Sequence, residues 1–284
     1  AVTMTSTLLF VGAHPDDESF GPGGTLAEYV LRGHRAVYVC ATRGEAGSAD
    51  PEHLQGFASA AEMRTAELDG AAKALGLDEV VHLGYRDSGM PGTEANRHPE
   101  AQINAPIEEV AARVTAVIRR VRPEVVFTFD PIGGYRHPDH IHIHRATVLA
   151  FHAAGDAAQY REAGPAFTPR KLYFSVFPKG FLRWAVRLLP IIGQDPRRFG
   201  RNGDIDLVEL ARVEFPVHCR VRLSASALER KDTASACHRS QLTGGPQRGG
   251  VIARAVSRWF GSHDDYMRAW PEAPAGLRET DLFS

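Results

Sequence analysis

The chain has 284 residues, of which 43% are hydrophobic and 24% are charged, and these values exclude a disordered, collagen-like or coiled-coil protein. With 33 basic and 34 acidic side chains the formal net charge is -1, so no overall field draws the chain to nucleic acid or an anionic membrane. The three cysteines are far apart and form no CxxC motif, which excludes a disulfide scaffold and a thiolate zinc cage. The N-terminal residues have neither a basic leader nor a long apolar run, so a reducing, cytoplasmic location is predicted.

The hydrophobic pattern alternates strands with helices from the N-terminus onward. Continuous apolar runs predict buried strands at residues 8–12, 36–41, 80–83, 125–129 and 171–177. Helical periodicity predicts helices at residues 25–32, 58–75 and 106–121, and a further helix that starts near Asp139. A late strand with alternating apolar positions is predicted within residues 214–223, at the sheet edge. Because parallel strands need helical crossovers, this pattern predicts an α/β fold with a Rossmann-like, mostly parallel sheet flanked by helices and a C-terminal α/β extension.

We interpret residues 1–284 as one domain, with a core at 1–178 and a basic extension at 179–284 that completes the pocket. Between residues 179 and 258 there are fifteen Lys or Arg and seven Asp or Glu, which predicts cationic side chains at the pocket mouth. Residues 181–192 are apolar but too short to span a bilayer, so they predict a surface helix. An interfacial helix or a lid over the substrate is the alternative.

Two polar loops that carry histidines follow the first and fourth predicted strands. The first loop is AHPDDE at residues 13–18, and the second is GGYRHPDH at residues 133–140. In the common strand order 3-2-1-4-5, the carboxyl ends of these strands flank the crevice where open α/β sheets bind ligands. Two histidines and one carboxylate form a catalytic zinc site with one open position, and a further carboxylate can serve as general base. The candidate ligands are His14 with Asp16 or Asp17 from the first loop, and one of His137, His140 or His144 from the second.

HPDDE followed by HPDH resembles the LmbE-like, or PIG-L, family of zinc-dependent de-N-acetylases, which includes deacetylases of glycosylphosphatidylinositol and mycothiol precursors. Weaker motifs extend the resemblance over most of the chain: TRGEAG at 42–47, YRDSGM at 85–90, HRSQ at 238–241 and DLF at 281–283. The resemblance implies one Zn²⁺ per chain, held by His14, Asp17 and His140. It also implies that Asp16 is the general base and that His137 is a cationic partner of the tetrahedral intermediate.

Further roles follow from the same resemblance. Tyr135 would help to polarise the acetyl carbonyl, and Arg64 and Asp87 would hold the sugar. We expect Glu18 and Asp139 to support the site from behind, Asp139 by orienting His137, whereas His142 and His144 are interpreted as structural. The chain departs from the family pattern at Arg136, where a small residue is common.

The predicted activity is hydrolysis of the acetamido group of an N-acetylglucosamine conjugate, which yields acetate and a free amine. The predicted partner is a small conjugate with a polar or anionic aglycone, without nucleic acid or stable membrane insertion; a homo-oligomer is compatible with the sequence. Two alternatives stay open, an amidase of thiol-sugar conjugates and a non-catalytic metal- or ligand-binding module on the same fold. Acetate release would separate the enzyme from the binding module.

Overall fold

The computed structural model describes residues 5–47, 50–176, 179–199, 203, 205–242 and 262–284. In these ranges the strands are β1 (Thr7–Gly12), β2 (Arg35–Cys40), β3 (Glu79–His82), β4 (Val125–Phe129), β5 (Lys171–Val176), β6 (Cys219–Arg222) and β7 (His263–Trp270). They form one sheet in the order β3-β2-β1-β4-β5-β7-β6. The first five strands pair in parallel, so the predicted order 3-2-1-4-5 is confirmed. Phe177, the predicted end of the fifth strand, lies outside the described residues.

Helices cover both faces of the sheet. The α-helices are α1 (Asp17–Phe20), α2 (Gly23–Leu31), α3 (Ala60–Leu75), α4 (Ile107–Val121), α5 (Gly133–Arg136), α6 (Pro138–Ala154), α7 (Lys179–Leu188), α8 (Leu207–Arg212), α9 (Ala225–Cys237) and α10 (Arg239–Leu242). Short 3₁₀ helices occur at Pro51–Leu54, Glu94–Arg97, Gln102–Asn104, Arg161–Ala163 and Leu189–Ile192. The long helices predicted from periodicity are present, and the fold class is the predicted one.

The core lies on both sides of the central strands. Along β1, Leu8 and Phe10 pack into the layer with α2, α3 and α9, whereas Leu9 and Val11 pack into the layer with α4 and α6. All four side chains are fully buried. A strand buried on both faces needs apolar residues at every position, which is why β1 reads as a continuous apolar run.

The C-terminal part adds two antiparallel strands to this sheet. β6 is shorter than the predicted strand within residues 214–223, but it does lie at the sheet edge. β7, which the sequence did not predict, pairs between β5 and β6. Its acidic residues obscure the strand pattern, and their partners lie far away in sequence: Asp264 accepts hydrogen bonds from Thr25, and Asp265 pairs with Arg220 at 2.7 Å.

The apolar segment at residues 181–192 forms most of α7 and the 3₁₀ helix that follows it, and α7 packs against α8. Trp184 and Ile191 in this segment are exposed. Among the described residues, no helix has both the length and the apolar character needed to cross a membrane.

Candidate active site

The pairing of β1 with β4 brings the two histidine-bearing loops together. Leu8 lies opposite Val125 and Phe10 opposite Phe127, so both strands end at the same edge of the sheet. The loop after β1 contains His14, and the loop after β4 leads into α6, which contains His140. The crevice expected at this switch point is therefore formed by these two loops.

The first loop folds around the Asp17 carboxylate. Asp17 Oδ2 accepts the backbone N–H groups of Ala13 at 2.9 Å and of His14 at 2.7 Å. The hydroxyl of Tyr38, from β2, donates to the carbonyl oxygen of His14 at 2.6 Å. These bonds satisfy backbone groups that would otherwise be buried without partners, and they fix the direction of the Asp17 side chain.

The second loop is tightened by glycine. Gly133 has a φ of 65°, and an added Cβ there would lie 2.8 Å from the Cβ of His140, so glycine is required for both reasons. This close approach lets the Gly133 carbonyl oxygen accept the Nδ1–H of His140 at 3.2 Å. The ring of Phe129, at the end of β4, stacks on His140 with 3.8 Å between centroids. The bond to Gly133 leaves His140 Nε2 as the free ligand atom.

The ring nitrogens of His14 and His140 lie close to each other and to the Asp17 carboxylate. His14 Nδ1 and His140 Nε2 are 3.2 Å apart, His140 Nε2 and Asp17 Oδ1 are 3.2 Å apart, and His14 Nδ1 and Asp17 Oδ2 are 3.7 Å apart. Ligands of a tetrahedral zinc ion with bonds of about 2.0–2.2 Å lie about 3.3–3.6 Å from one another. The residues therefore fit zinc in both donor type and spacing, and all three are buried.

The second nitrogen of His14 supports this assignment. Its Nε2–H donates to Asp139 Oδ2 at 3.1 Å, because a carboxylate can only accept, and this leaves Nδ1 free to bind a cation. A carboxylate behind a ligating histidine is the usual way to fix the ring and increase its basicity.

Two other groups of buried side chains also have ligand atoms close enough for a metal. They are His14, His137 and His140, and His14, Asp87, His137 and Asp139. In the second group the Asp139 carboxylate already accepts two hydrogen bonds from Ser88, its N–H on Oδ2 at 2.9 Å and its hydroxyl on Oδ1 at 2.5 Å. Both groups include His14, and the set of His14, Asp17 and His140 stays a prediction.

Asp16 points away from Asp17, towards α3. Its φ of 114° is unusual for a residue other than glycine, and its Oδ2 accepts the Nη2–H of Arg64 at 2.9 Å. Burial raises the pKa of the Asp16 carboxyl to about 6, against the opposing charge of Arg64. Burial also opposes ionisation of Asp17, but the imidazoles of His140 and His14 lower the pKa of its carboxyl below the usual range. Two adjacent aspartates thus occupy different electrostatic environments.

Arg64 is buried behind Asp16 and holds the loop as well as the carboxylate. Its guanidinium also donates to the carbonyl oxygens of Gly44 and Pro15. Gly44 has a φ of 70°, and an added Cβ would lie 2.1 Å from Arg64 Nη1. The contact of Arg64 with the sugar stays a prediction; in the structure its guanidinium bonds Asp16, and its Nε has no hydrogen-bond partner among the described residues.

Glu18 and His238 form a buried pair beneath the first loop. Glu18 Oε1 accepts the Nε2–H of His238 at 2.7 Å, and both side chains are fully buried. Glu18 Oε2 accepts the backbone N–H of Asp16 at 2.9 Å, which holds the left-handed residue in place. Burial opposes protonation of His238, but the Glu18 carboxylate raises the pKa of its imidazole above the ordinary value. Glu18 therefore stabilises the backbone of the first loop.

Asp139 contacts a different histidine from the one predicted. Its carboxylate binds His14 and Ser88, whereas its contact with His137 is made by the backbone, whose N–H donates to His137 Nδ1 at 3.2 Å. The prediction that Asp139 orients His137 is corrected accordingly. Local geometry decides this, since His137 is the N-cap of α6 and must turn back onto the helix. Ser88 was not singled out in the sequence analysis, although it lies in the YRDSGM motif.

His137 and Tyr135 face the same region from the second loop. Their rings meet edge to face at 5.8 Å, and Tyr135 also lies edge to face with His140. Burial lowers the pKa of His137 well below its usual value, and its Nδ1 accepts the backbone N–H of Asp139, which favours the tautomer with the proton on Nε2. The role of His137 beside the tetrahedral intermediate stays a prediction, and the direction of this pKa favours a neutral donor over the predicted cation. Burial raises the pKa of the Tyr135 phenol well above its usual value, so it also keeps its proton.

The remaining candidates lie at the margin of this group. Asp87 is buried, with Oδ1 3.5 Å from His14 Nε2 and bonded to the N–H of Gly89 at 2.8 Å. His144 donates from Nδ1 to the carbonyl oxygen of Phe129 at 2.8 Å and packs against Phe174, as a structural residue would.

The chain is similar in sequence to a known family and to named proteins. Residues 9–151 match the PIG-L family, described as GlcNAc-PI de-N-acetylase. A relative from Geodermatophilus obscurus, named 1D-myo-inositol 2-acetamido-2-deoxy-alpha-D-glucopyranoside deacetylase, is 38% identical over 85% of this chain and 85% of its own.

Solved structures share the fold at lower identity. N,N'-diacetylchitobiose deacetylase from Pyrococcus horikoshii superposes with a TM-score of 0.61 at 19% identity, covering 93% of this chain and 84% of its own. A 4-carboxy-2-hydroxymuconate hydratase from Pseudomonas putida superposes with a TM-score of 0.60 at 20% identity, covering 96% of this chain and 100% of its own. Since a deacetylase and a hydratase share this architecture, the fold alone does not decide the reaction. The family match and the sequence relatives do decide the class: as the sequence predicted, the chain belongs to the PIG-L family of de-N-acetylases and is an N-deacetylase of N-acetylglucosamine conjugates.

Proposed function

We propose that the protein is a zinc enzyme that removes the acetyl group from an N-acetylglucosaminyl inositol, the substrate type in the name of its Geodermatophilus relative. One observation carries the zinc assignment: two buried ring nitrogens lie 3.2 Å from each other and 3.2 to 3.7 Å from an oxygen of the buried Asp17 carboxylate, and both histidines have their other ring nitrogen bonded. Three protein ligands leave one tetrahedral position open, which is the arrangement of a catalytic rather than a structural site.

His14 Nδ1, Asp17 and His140 Nε2 would hold the ion. Zinc in such a site supplies Lewis-acid activation of the acetamide carbonyl and of water. The two histidine rings and the Asp17 carboxylate are themselves held by hydrogen bonds to neighbouring groups, so the three ligands are oriented in advance.

Asp16 is the proposed general base. Its Oδ2 is held by Arg64, and its backbone is held by Glu18, so the carboxylate has one fixed direction. In the reaction Asp16 takes a proton from the attacking water as the C–O bond forms. The proton must finally reach the leaving nitrogen as the C–N bond breaks, which releases acetate and the free amine. A positioned base of this kind contributes about 10²- to 10⁴-fold to the rate.

His137 and Tyr135 are proposed to stabilise the oxyanion that develops on the acetyl oxygen. Both are neutral donors whose protons are retained, His137 on Nε2 and Tyr135 on its hydroxyl. Donors that are already oriented before the reaction stabilise developing charge without reorganisation, and one such donor is worth about 10²- to 10³-fold in turnover.

Acetate release and zinc content together test the proposal. The zinc-loaded protein is incubated with N-acetylglucosaminyl inositol, and we expect acetate in equal amount to the free amine. Asp16→Asn should keep its zinc and lose about 10²- to 10⁴-fold in kcat, because the amide keeps the shape but cannot take the proton. Asp17→Asn should lose zinc first, and excess zinc should restore part of its activity.

The two histidines of the second loop provide the matched control. His140→Ala should lose most of the bound zinc, whereas His144→Ala should keep it, because His144 bonds a backbone carbonyl instead. Equal zinc loss in both variants would show that the ligand from the second loop is wrongly assigned. Zinc binding without acetate release from any N-acetylated sugar would instead indicate the non-catalytic module, and release from thiol-sugar conjugates alone would indicate the amidase.

A further inference from the structure

Ser88 holds the carboxylate that lies behind His14. Its backbone N–H donates to Asp139 Oδ2 at 2.9 Å and its hydroxyl donates to Oδ1 at 2.5 Å, so one residue binds both carboxylate oxygens. Both side chains are fully buried. Among the described residues the Ser88 hydroxyl is the one donor to Oδ1, whereas Oδ2 also accepts from His14. The direction of the Asp139 carboxylate therefore depends on Ser88.

The hydroxyl of Ser88 is itself held in one orientation. The backbone N–H of Ile103 donates to Ser88 Oγ at 3.2 Å, so this oxygen accepts on one side and donates to Asp139 on the other. Both Ser88 and Ile103 belong to the third loop, residues 83–106 between β3 and α4. The side-chain amide of Asn96, in the same loop, donates to the carbonyl oxygen of Ser88. Backbone and hydroxyl are thus both fixed by the third loop.

The contact continues from Asp139 to His14. The Nε2–H of His14 donates to Asp139 Oδ2 at 3.1 Å, which leaves Nδ1 as the nitrogen that can bind a metal. A neutral imidazole without such an acceptor can carry its proton on either nitrogen, and a proton on Nδ1 would block metal binding there. Hydrogen bonds therefore run from the third loop through Asp139 to the metal-binding nitrogen of His14.

A purely structural serine would not need this arrangement. A buried hydroxyl can be satisfied by one backbone carbonyl, as in Thr115, whose Oγ1 donates to the carbonyl oxygen of Ala111 at 2.7 Å. Ser88 instead uses two donors on a charged side chain, and hydrogen bonds to charged groups are stronger than those between neutral groups. Loss of its hydroxyl would leave Asp139 Oδ1 buried without a donor, so the carboxylate would turn away from its present position.

We propose that Ser88 is a positioning residue for metal binding, which keeps Asp139 in the orientation that holds His14 with Nδ1 free. The proposal rests on the proposed function, because it takes His14 to be a metal ligand. Ser88 is not a ligand itself and acts only through Asp139. A residue behind a metal ligand fixes the ring and its tautomer, and Ser88 extends this support by one further residue.

The zinc Kd, measured by competition with a chromophoric chelator and without substrate, tests the proposal. Ser88→Ala should raise the zinc Kd about tenfold, the lower end of the usual effect of residues behind a metal ligand. Thr115→Ala is the matched control, since it also removes one fully buried hydroxyl but lies in α4. Its zinc Kd should equal that of the wild type. An unchanged or lower zinc Kd in Ser88→Ala would overturn the proposal.

A double-mutant cycle tests whether Ser88 acts through Asp139. Asp139→Asn should raise the zinc Kd about 10- to 100-fold, because a neutral amide is a weaker acceptor for the His14 Nε2–H. Ser88→Ala added to Asp139→Asn should cause little further loss, since the contact through which Ser88 acts is already altered. A full tenfold loss in both backgrounds would show that Ser88 acts independently of Asp139 and would refute the proposed route.

The visible absorption of bound Co²⁺ separates positioning from a general loss of stability, because it depends on the coordination geometry. At saturating Co²⁺, folded Ser88→Ala should show shifted bands and Thr115→Ala should show the wild-type spectrum. A lower Tm with wild-type zinc Kd and Co²⁺ spectrum would mean that Ser88 is only structural, and the proposal would fail.

His14→Ala distinguishes failure of this inference from failure of the proposed function. Zinc binding that survives His14→Ala unchanged would refute the ligand set and this inference with it. A large zinc loss in His14→Ala beside an unchanged zinc Kd in Ser88→Ala would refute the role of Ser88 alone.

Discussion

The buried pair of Glu18 and His238 joins the first loop to a residue 220 positions later in the chain. His238→Ala therefore tests how much this contact with the C-terminal part stabilises the protein. Both side chains are fully buried, and their contact is 2.7 Å long. Removal of one partner from a buried ion pair costs about 3–5 kcal/mol, because the other charge is left uncompensated.

The expected value lies at the lower end of that range. After His238→Ala, the Glu18 carboxylate keeps two hydrogen bonds, from the Asp16 N–H and the Ser19 hydroxyl. We therefore expect a loss of about 3 kcal/mol in the free energy of unfolding, which for a chain of this size corresponds to a Tm about 6–12 °C lower.

Urea unfolding at saturating zinc measures this loss. The control is His152→Ala, an exposed histidine on α6 whose ring meets those of Phe151 and Trp270 edge to face, for which a change within about 0.5 kcal/mol is expected. Glu18→Gln and the double variant complete a double-mutant cycle, and the double variant should lose less than the sum of the single losses. A loss below about 1 kcal/mol for His238→Ala, or strict additivity, would refute the buried ion pair as a stabilising contact.

Three further outcomes are expected. In Gly44→Ala the added methyl group should displace the Arg64 guanidinium, so that Asp16 loses its direction and kcat falls about 10- to 100-fold with zinc retained. Gly56→Ala, also at positive φ but with open space around it, should keep its kcat. Equal activities of the two variants would contradict the positioning role of Arg64. Ellman's reagent should modify the half-buried Cys237 in the native protein. It should reach Cys40 and Cys219 only after unfolding, because both are buried and burial raises the pKa of their thiols. Early reaction of all three thiols would show that the core opens. Zinc at a thousand times its Kd should raise the free energy of unfolding of the metal-free protein by about 4 kcal/mol, as measured by thermal unfolding. It should have little effect on the stability of His140→Ala. An equal effect on both proteins would place the metal elsewhere.

The sequence by itself predicted the parallel part of the sheet and the place of the site. β1, β2, β4 and β5 are apolar at nearly every position because they are buried on two faces, and such runs are visible without a structure. The two histidine-bearing motifs follow β1 and β4, and strand order alone puts the ends of these strands side by side. Resemblance to the family then named the reaction class.

Other features depended on contacts between distant parts of the chain. β7 was missed because the partners of its acidic residues, Thr25 and Arg220, lie far away in sequence. The partner of Asp139 is His14 rather than His137, since the direction of a side chain at a helix start is set by the backbone turn and by Ser88 from a third loop.

The adjacent aspartates show the division most clearly. In the sequence Asp16 and Asp17 are equivalent neighbours, and spacing cannot say which is a ligand. In the structure two backbone N–H groups turn Asp17 towards the histidines, while Arg64 and Glu18 hold Asp16 in a left-handed conformation that faces away. A motif specifies which chemical groups are available, but their directions are set by hydrogen bonds from α3, the second loop and the C-terminal helices, and only the tertiary structure brings these together.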